Sequence, residues 1–157
     1  MMTRRLALIV TAVLLSATGA FARRPPEGIT GDWENLGVQA QRSRIFSREV
    51  GRSTTGDEVY YLGMNGFALA LEPRTGRPAG PRGQFDFGEE WIWDICAHSN
   101  GKAYATCGLR GIFEFDAATG EQRQIGPPPE GETVIWELYE ASDGHIYGGT
   151  YPSAKLV

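Results

Sequence analysis

The 157-residue chain carries 15 Lys and Arg against 19 Asp and Glu, a formal charge of −4, and 11% of its residues are aromatic. The length suits about one domain, and an acidic balance without basic runs excludes a nucleic-acid partner, whose phosphates demand clustered Lys and Arg. With two histidines and two cysteines in the whole chain, no metal site is expected, and no motif calls for a cofactor.

Arg4 and Arg5 precede an apolar run from Leu6 to Leu15 that only Thr11 interrupts, and Ala20-Phe21-Ala22 follows as a small-x-small cleavage site. This order predicts a signal peptide over 1–22 and hence a secreted or periplasmic protein. The run is shorter than the ~20 residues of a membrane span, so no span is expected after cleavage. The mature chain keeps 13 basic and 19 acidic residues, a formal charge of −6, because the leader removes two arginines and no acids. Residues 23–31 contain Pro and Gly and read as a loose leader.

Asp32-Trp33-Glu34-Asn35-Leu36-Gly37 is a short polar-apolar segment closed by glycine, like Phe85-Asp86-Phe87-Gly88 and Gln124-Ile125-Gly126 later. All three are expected as outermost strands. Three more strands are predicted next: Ile45–Arg52, Glu58–Leu62 and Phe67–Leu71. The last ends in the turn Glu72-Pro73-Arg74-Thr75-Gly76. Then come Trp91–Ala97, Lys102–Cys107, Gly111–Asp116 and Glu121–Ile125, separated by turn residues. Pro127-Pro128-Pro129 makes a stiff connection that cannot lie in a central strand. A last group opens at Val134 and runs through His145–Gly149 into Ser153–Val157.

The segments repeat. Trp93, Gly101 and Tyr104 return 43 residues later as Trp136, Gly144 and Tyr147, and the Thr75-Gly76 turn returns 44 residues later as Thr119-Gly120. A period of about 40–45 residues built from short strands is the signature of propeller blades. The expected fold is therefore all-β: an incomplete β-propeller of about two and a half four-stranded blades (45–88, 91–126, and 134–157 incomplete) plus the outer strand at 32–37, together spanning 32–157. Closed propellers have about 4–8 blades. The chain thus reads as part of a larger propeller, or as one of several copies associating through open blade faces.

Asp143 to Leu156 resembles a blade motif of secreted bacterial propellers, among them streptogramin-lyase-like, quinoprotein-like and gluconolactonase-like repeat proteins. Asp116-Ala117-Ala118-Thr119-Gly120 resembles their recurring Asp-x-x-Thr-Gly turn. The resemblance implies the fold for most of 32–157. Where such proteins are enzymes, residues from several blades meet at the central channel, so no catalytic residue is carried over to this chain.

Asp94 and Glu137 directly follow the two repeat-equivalent tryptophans. Two acids on adjacent inner strands suit a cation or a sugar hydroxyl at a channel mouth; equally, they suit bonds to backbone or tryptophan N–H groups between blades. Trp93, Trp136 and Tyr151 suit sugar stacking, while the repeat-equivalent tryptophans also suit packing between blades. Tyr151 lies in a loop, where sites concentrate. His98 and His145 flank hairpin turns and read as exposed; His145 joins Asp94, Glu137 and Tyr151 as the candidate ligand-binding residues. The Asn100-Gly101 turn, read as a two-residue loop, pairs Ser99 with Lys102 and Cys96 with Ala105. Cys107 is then a diagonal neighbour of Cys96, beyond disulfide reach, so two free thiols are expected. No Gly-x-Ser-x-Gly or phosphate loop occurs. The expected function is a ligand-binding or interaction module for a glycan, a cell-envelope component or a small molecule. The alternative is the N-terminal part of a propeller lyase or hydrolase whose catalytic residues lie in other blades.

Overall fold

The computed structural model describes residues 44–157, all within the unit Leu36–Val157. The expected signal peptide at 1–22, the leader at 23–31 and the strand at 32–37 lie outside the described residues. Nine antiparallel strands follow in order: β1 Ser47–Arg52, β2 Glu58–Gly63, β3 Asn65–Leu71, β4 Gln84–Ala97, β5 Ala103–Cys107, β6 Gly111–Phe115, β7 Gln122–Gly126, β8 Val134–Glu140 and β9 Ile146–Tyr151. A 3-10 turn at Gly108–Arg110 separates β5 from β6, and no α-helix occurs among the described residues. None of them forms a helix long and apolar enough to cross a membrane.

Strands β1 to β7 hydrogen-bond in sequence order, and β4 is shared. Its first part pairs with β3 through Gln84, Phe85 and Asp86, and its last part pairs with β5 from Ile92 to Ala97. One 14-residue strand therefore spans what the sequence presents as two, the closing strand of sheet I (β1–β4) and the leading strand of sheet II (β4–β7). β8 and β9 form sheet III, and Leu156 makes an isolated bridge to Gly149 beside β9, with Gly148 and Val157 exchanging both backbone hydrogen bonds.

The sheets pack face to face because their strands are apolar on both sides. In β2 and β3, Val59, Tyr61, Ala68 and Ala70 turn one way, while Leu62, Leu69 and Leu71 turn the other. The first group meets Ile92, Ile95, Ala103, Ala105, Phe113 and Phe115 of sheet II in one core. Phe115 sits at its centre, with ring centroids 5.5 Å from Tyr61, 4.8 Å from Phe85 and 5.5 Å from Phe87. Small residues allow the approach: a side-chain carbon at Gly51 would collide with Ala97 Cβ. The opposite face of sheet II, with Cys96, Tyr104 and Ile112, packs on Ile135, Leu138 and Ile146 of sheet III.

Turn chemistry repeats with the sheets. The loop after each leading strand has the same two bonds: Ser53 N–H to Asp57 O and Gly56 N–H to Ser53 O, then the equivalent pairs at 98–102 and 141–145. Gly56, Gly101 and Gly144 hold φ of 89°, 87° and 80°, which only glycine adopts without strain. Both Thr-Gly turns form as expected. Gly76 and Gly120 donate back to Glu72 O and Asp116 O, Thr75 and Thr119 hydroxyls accept from Arg77 and Glu121 N–H, and the Asp116 carboxylate accepts from Ala118 N–H.

One register differs from expectation. The loop after Ala97 is one residue longer than a two-residue turn, because His98 N–H bonds Lys102 O around an αL glycine. Cys96 therefore pairs with Tyr104, not Ala105. Cys96 and Cys107 consequently lie in different cores on opposite sheet faces, which is a firmer reason for both thiols being free and buried.

Candidate functional site

The leading strands of sheets II and III share a local irregularity that β1 of sheet I lacks. In sheet II the register to β5 shifts between Ile92 and Ile95; in sheet III it shifts between Ile135 and Glu137. These are β-bulges at repeat-equivalent places, and a bulge re-aims side chains. Its effect is visible in burial: Ile92 and Ile95, three residues apart, enter one core, as do Ile135 and Leu138 in the next. Strict alternation would have set Ile95 on the face of Trp93. Each bulge instead releases a tryptophan-acid pair, Trp93-Asp94 and Trp136-Glu137. The Asp94 N–H in the bulge is caught by the buried Thr106 hydroxyl at 3.0 Å.

The two released tryptophans join Phe46, Trp91 and Tyr151 in a continuous ridge at the beginning of the leading strands. Phe46 stacks on Trp91 at 4.9 Å, Trp91 lies 5.2 Å from Trp93, Trp93 meets Trp136 edge-to-face at 4.4 Å, and Trp136 is 6.1 Å from Tyr151. The ridge thus crosses sheets I, II and III. It does two things at once: Trp93 and Trp136 pack between sheets as their repeat positions implied, yet Trp91 is 44% exposed, Trp136 42% and Tyr151 53%. The exposure of Trp91 is informative because it stands at the junction of sheets I and II, with both neighbours in place.

The two candidate acids part company. Asp94 Oδ2 accepts the Leu138 N–H at 2.8 Å, so it ties sheet II to sheet III. Burial pushes its carboxyl up; the Leu138 and Ile95 amides oppose this, and the charges of Glu137 and Glu49 reinforce it. Glu137 is exposed and contributes to that negative field from β8, while Glu49 does so from β1. The ridge is therefore edged by acids from all three leading strands.

Of the four candidates, Asp94, Glu137 and Tyr151 come together at this ridge. His145 does not: it lies on the turn after β8, at the other end of the strand, beside Asp143 at 3.5 Å and Tyr147. Trp91, Phe46 and Glu49 belong to the site without having been singled out from the sequence. Their signal was an offset of 45 residues from Phe46 to Trp91 and from Glu49 to Asp94.

Three other places invite a site. A cleft of about 580 Å³ lies at the turn end of sheet I, away from the ridge. It is lined by Arg52, Glu58, Arg74 and the turns at 53–57 and 72–75. Arg52 there bonds Gly56 O at 2.9 Å and lies 3.6 Å from Glu58, so its charge is already answered. A cleft of about 370 Å³ surrounds Glu114. That carboxylate is taken up by Arg123 Nε, Lys102 Nζ and the Tyr104 hydroxyl, each at 2.8 Å. The third place is Ser99, His98 and Glu140. His98 was expected to be exposed, but its side chain is only 13% so. Its Nδ1 accepts from Asn100 N–H at 2.9 Å, leaving Nε2 to donate to Gly144 O at 3.0 Å. Both ring nitrogens are committed, and the Ser99 hydroxyl and N–H both go to Glu140. The cluster latches the sheet II turn to sheet III; it does not prime a nucleophile. No group of three His, Cys, Asp or Glu suited to a metal ion occurs among the described residues.

No protein-family model matches the chain, and no curated protein is significantly similar to it.

Proposed function

We propose that this chain is a segment of a secreted β-propeller and that the aromatic ridge at the start of its leading strands binds a glycan. The observation that carries the reading is the ridge itself: five aromatic rings in sequence across three sheets, open to solvent even where both flanking sheets are present. Aromatic faces supply apolar contact to sugar rings, and rim carboxylates accept their hydroxyls.

The propeller reading draws support from the thrice-repeated loop, the twice-repeated bulge and the passage of β4 from one sheet into the next. It also accounts for an open face. Tyr139, 72% exposed, and Tyr147 pair across sheet III at the positions of Cys96 and Tyr104, which sheet III itself covers in sheet II. A further sheet, from a longer polypeptide or from a second copy, would bury them in the same way. The signal-like N-terminus supports export.

Titration of the full chain with a panel of hexasaccharides, followed by tryptophan fluorescence, tests the reading. At least one glycan should shift the emission saturably, and Trp91→Ala should weaken that response about tenfold or more, the loss of one stacking partner. A panel that leaves the emission unmoved, or a Trp91→Ala variant that binds as well as the parent, would overturn it.

A further inference from the structure

The ridge is not a flat shelf. Trp91 and Trp93 are inclined at 54°, Trp93 and Trp136 at 74°, and Trp136 and Tyr151 at 71°. Phe46 and Trp91 stack, but from Trp93 through Trp136 to Tyr151 the rings meet edge to face, so there their π faces open in different directions and leave corners between them. A neutral sugar stacks best on a single broad face. A corner of two π faces suits an ammonium group, which is drawn to the negative faces of both rings.

Charge points the same way. The leading strands carry Glu49, Asp94 and Glu137 in succession, and the charges of Glu49 and Glu137 both reach Asp94. Asp94 spends one oxygen on the Leu138 amide, whereas Glu137 is exposed beside Trp136. An aromatic corner edged by carboxylates is more complementary to a cation with an apolar skirt than to a neutral or acidic sugar.

We infer that the ridge selects a glycan bearing free amines, such as an oligomer of glucosamine, with an ammonium seated against Trp136 and paired to Glu137. This inference rests on the glycan reading above and narrows it. Glu49 offers a second carboxylate on sheet I, beyond sheet II, so a chain of amino sugars would run along the ridge from sheet III towards sheet I.

The test compares the glucosamine hexamer with its fully N-acetylated counterpart on the intact chain, at mildly acidic pH where the amines are protonated. Tryptophan fluorescence reports binding. The amine form is expected to bind about tenfold or more tightly than the acetylated form, with an affinity that falls as salt rises. Glu137→Gln should abolish that preference without shifting the melting temperature, since Glu137 is exposed. Glu58→Gln, at the far end of the strands, should leave it intact, which separates the ridge from general attraction between an acidic protein and a polycation. Equal binding of the two hexamers, or equal loss in the Glu137 and Glu58 variants, would overturn the amine preference while leaving the glycan reading standing. No binding of either hexamer, alongside saturable binding of some other glycan, would overturn it as well. Silence from every glycan would remove both.

Discussion

Phe115→Ala should lower the unfolding free energy by about 3–5 kcal/mol, the range for emptying a buried phenylalanine site. Phe115 is 1% exposed and stands on β6 at the interface of sheets I and II. Its neighbours Tyr61, Phe85 and Phe87 come from β2 and β4, so they are fixed in strands and can collapse only partly into the space left behind. The loss therefore measures contact between sheets and not merely strand propensity. Urea denaturation followed by circular dichroism gives the number. Tyr139→Ala is the control: at 72% exposure it should stay within about 0.5 kcal/mol. A loss below about 1 kcal/mol at Phe115 would mean that sheets I and II do not share this core.

Glu114 should make the fold acid-sensitive. Arg123 first, then Lys102 and the Tyr104 hydroxyl, hold its carboxyl down at about 2 against an ordinary 4.5, although burial opposes them. A carboxyl whose pKa is depressed by folding adds stability above its unfolded value, and that contribution is lost as pH falls through the folded one. The window is therefore from about pH 5 down to about pH 2. Because the side chains of Lys102 and Arg123 are 36% and 66% exposed, solvent screens part of the effect, and about 2 kcal/mol is expected. Melting temperatures measured across this window should fall for the parent and fall less for Glu114→Gln, which starts lower at neutral pH. Parallel pH profiles for the two proteins would show that Glu114 is not anchored in this way.

Much of the architecture was legible because turns and strands repeat together. The Thr-Gly turns and the Gly-centred loops depend on local chemistry, in which a glycine takes positive φ and a neighbouring side chain bonds the freed amides, so they can be read directly. The hairpin register was less legible. Asn100-Gly101 is a strong two-residue turn signal, and the extra residue that sets Cys96 against Tyr104 leaves no mark in composition. The bulges were hidden for a different reason. Period-two alternation is the ordinary rule for strands, and only the spacing of three between Ile92 and Ile95, repeated between Ile135 and Leu138, departs from it. That departure is what frees Trp93 and Trp136 to serve packing and surface together. The site was half legible. Asp94, Glu137 and Tyr151 stand on or beside the clear repeats, whereas Phe46 and Glu49 sit in the most divergent one, where the offset has drifted to 45 and Arg48 stands at the place of the repeated tryptophan. The latch from Ser99 to Glu140 joins residues 41 apart through the Glu140 carboxylate, and no local pattern announces such a bond.

Everything proposed for the ridge depends on equivalent tryptophans of successive sheets meeting one another. Nuclear Overhauser cross-peaks among the indole protons of Trp91, Trp93 and Trp136 report this most directly, with each tryptophan assigned by single substitution to phenylalanine. Strong cross-peaks between Trp93 and Trp136, whose rings are 4.4 Å apart, are the predicted result. Indole protons that show contacts only to strands of their own sheet would contradict the face-to-face stacking, and the ridge with it.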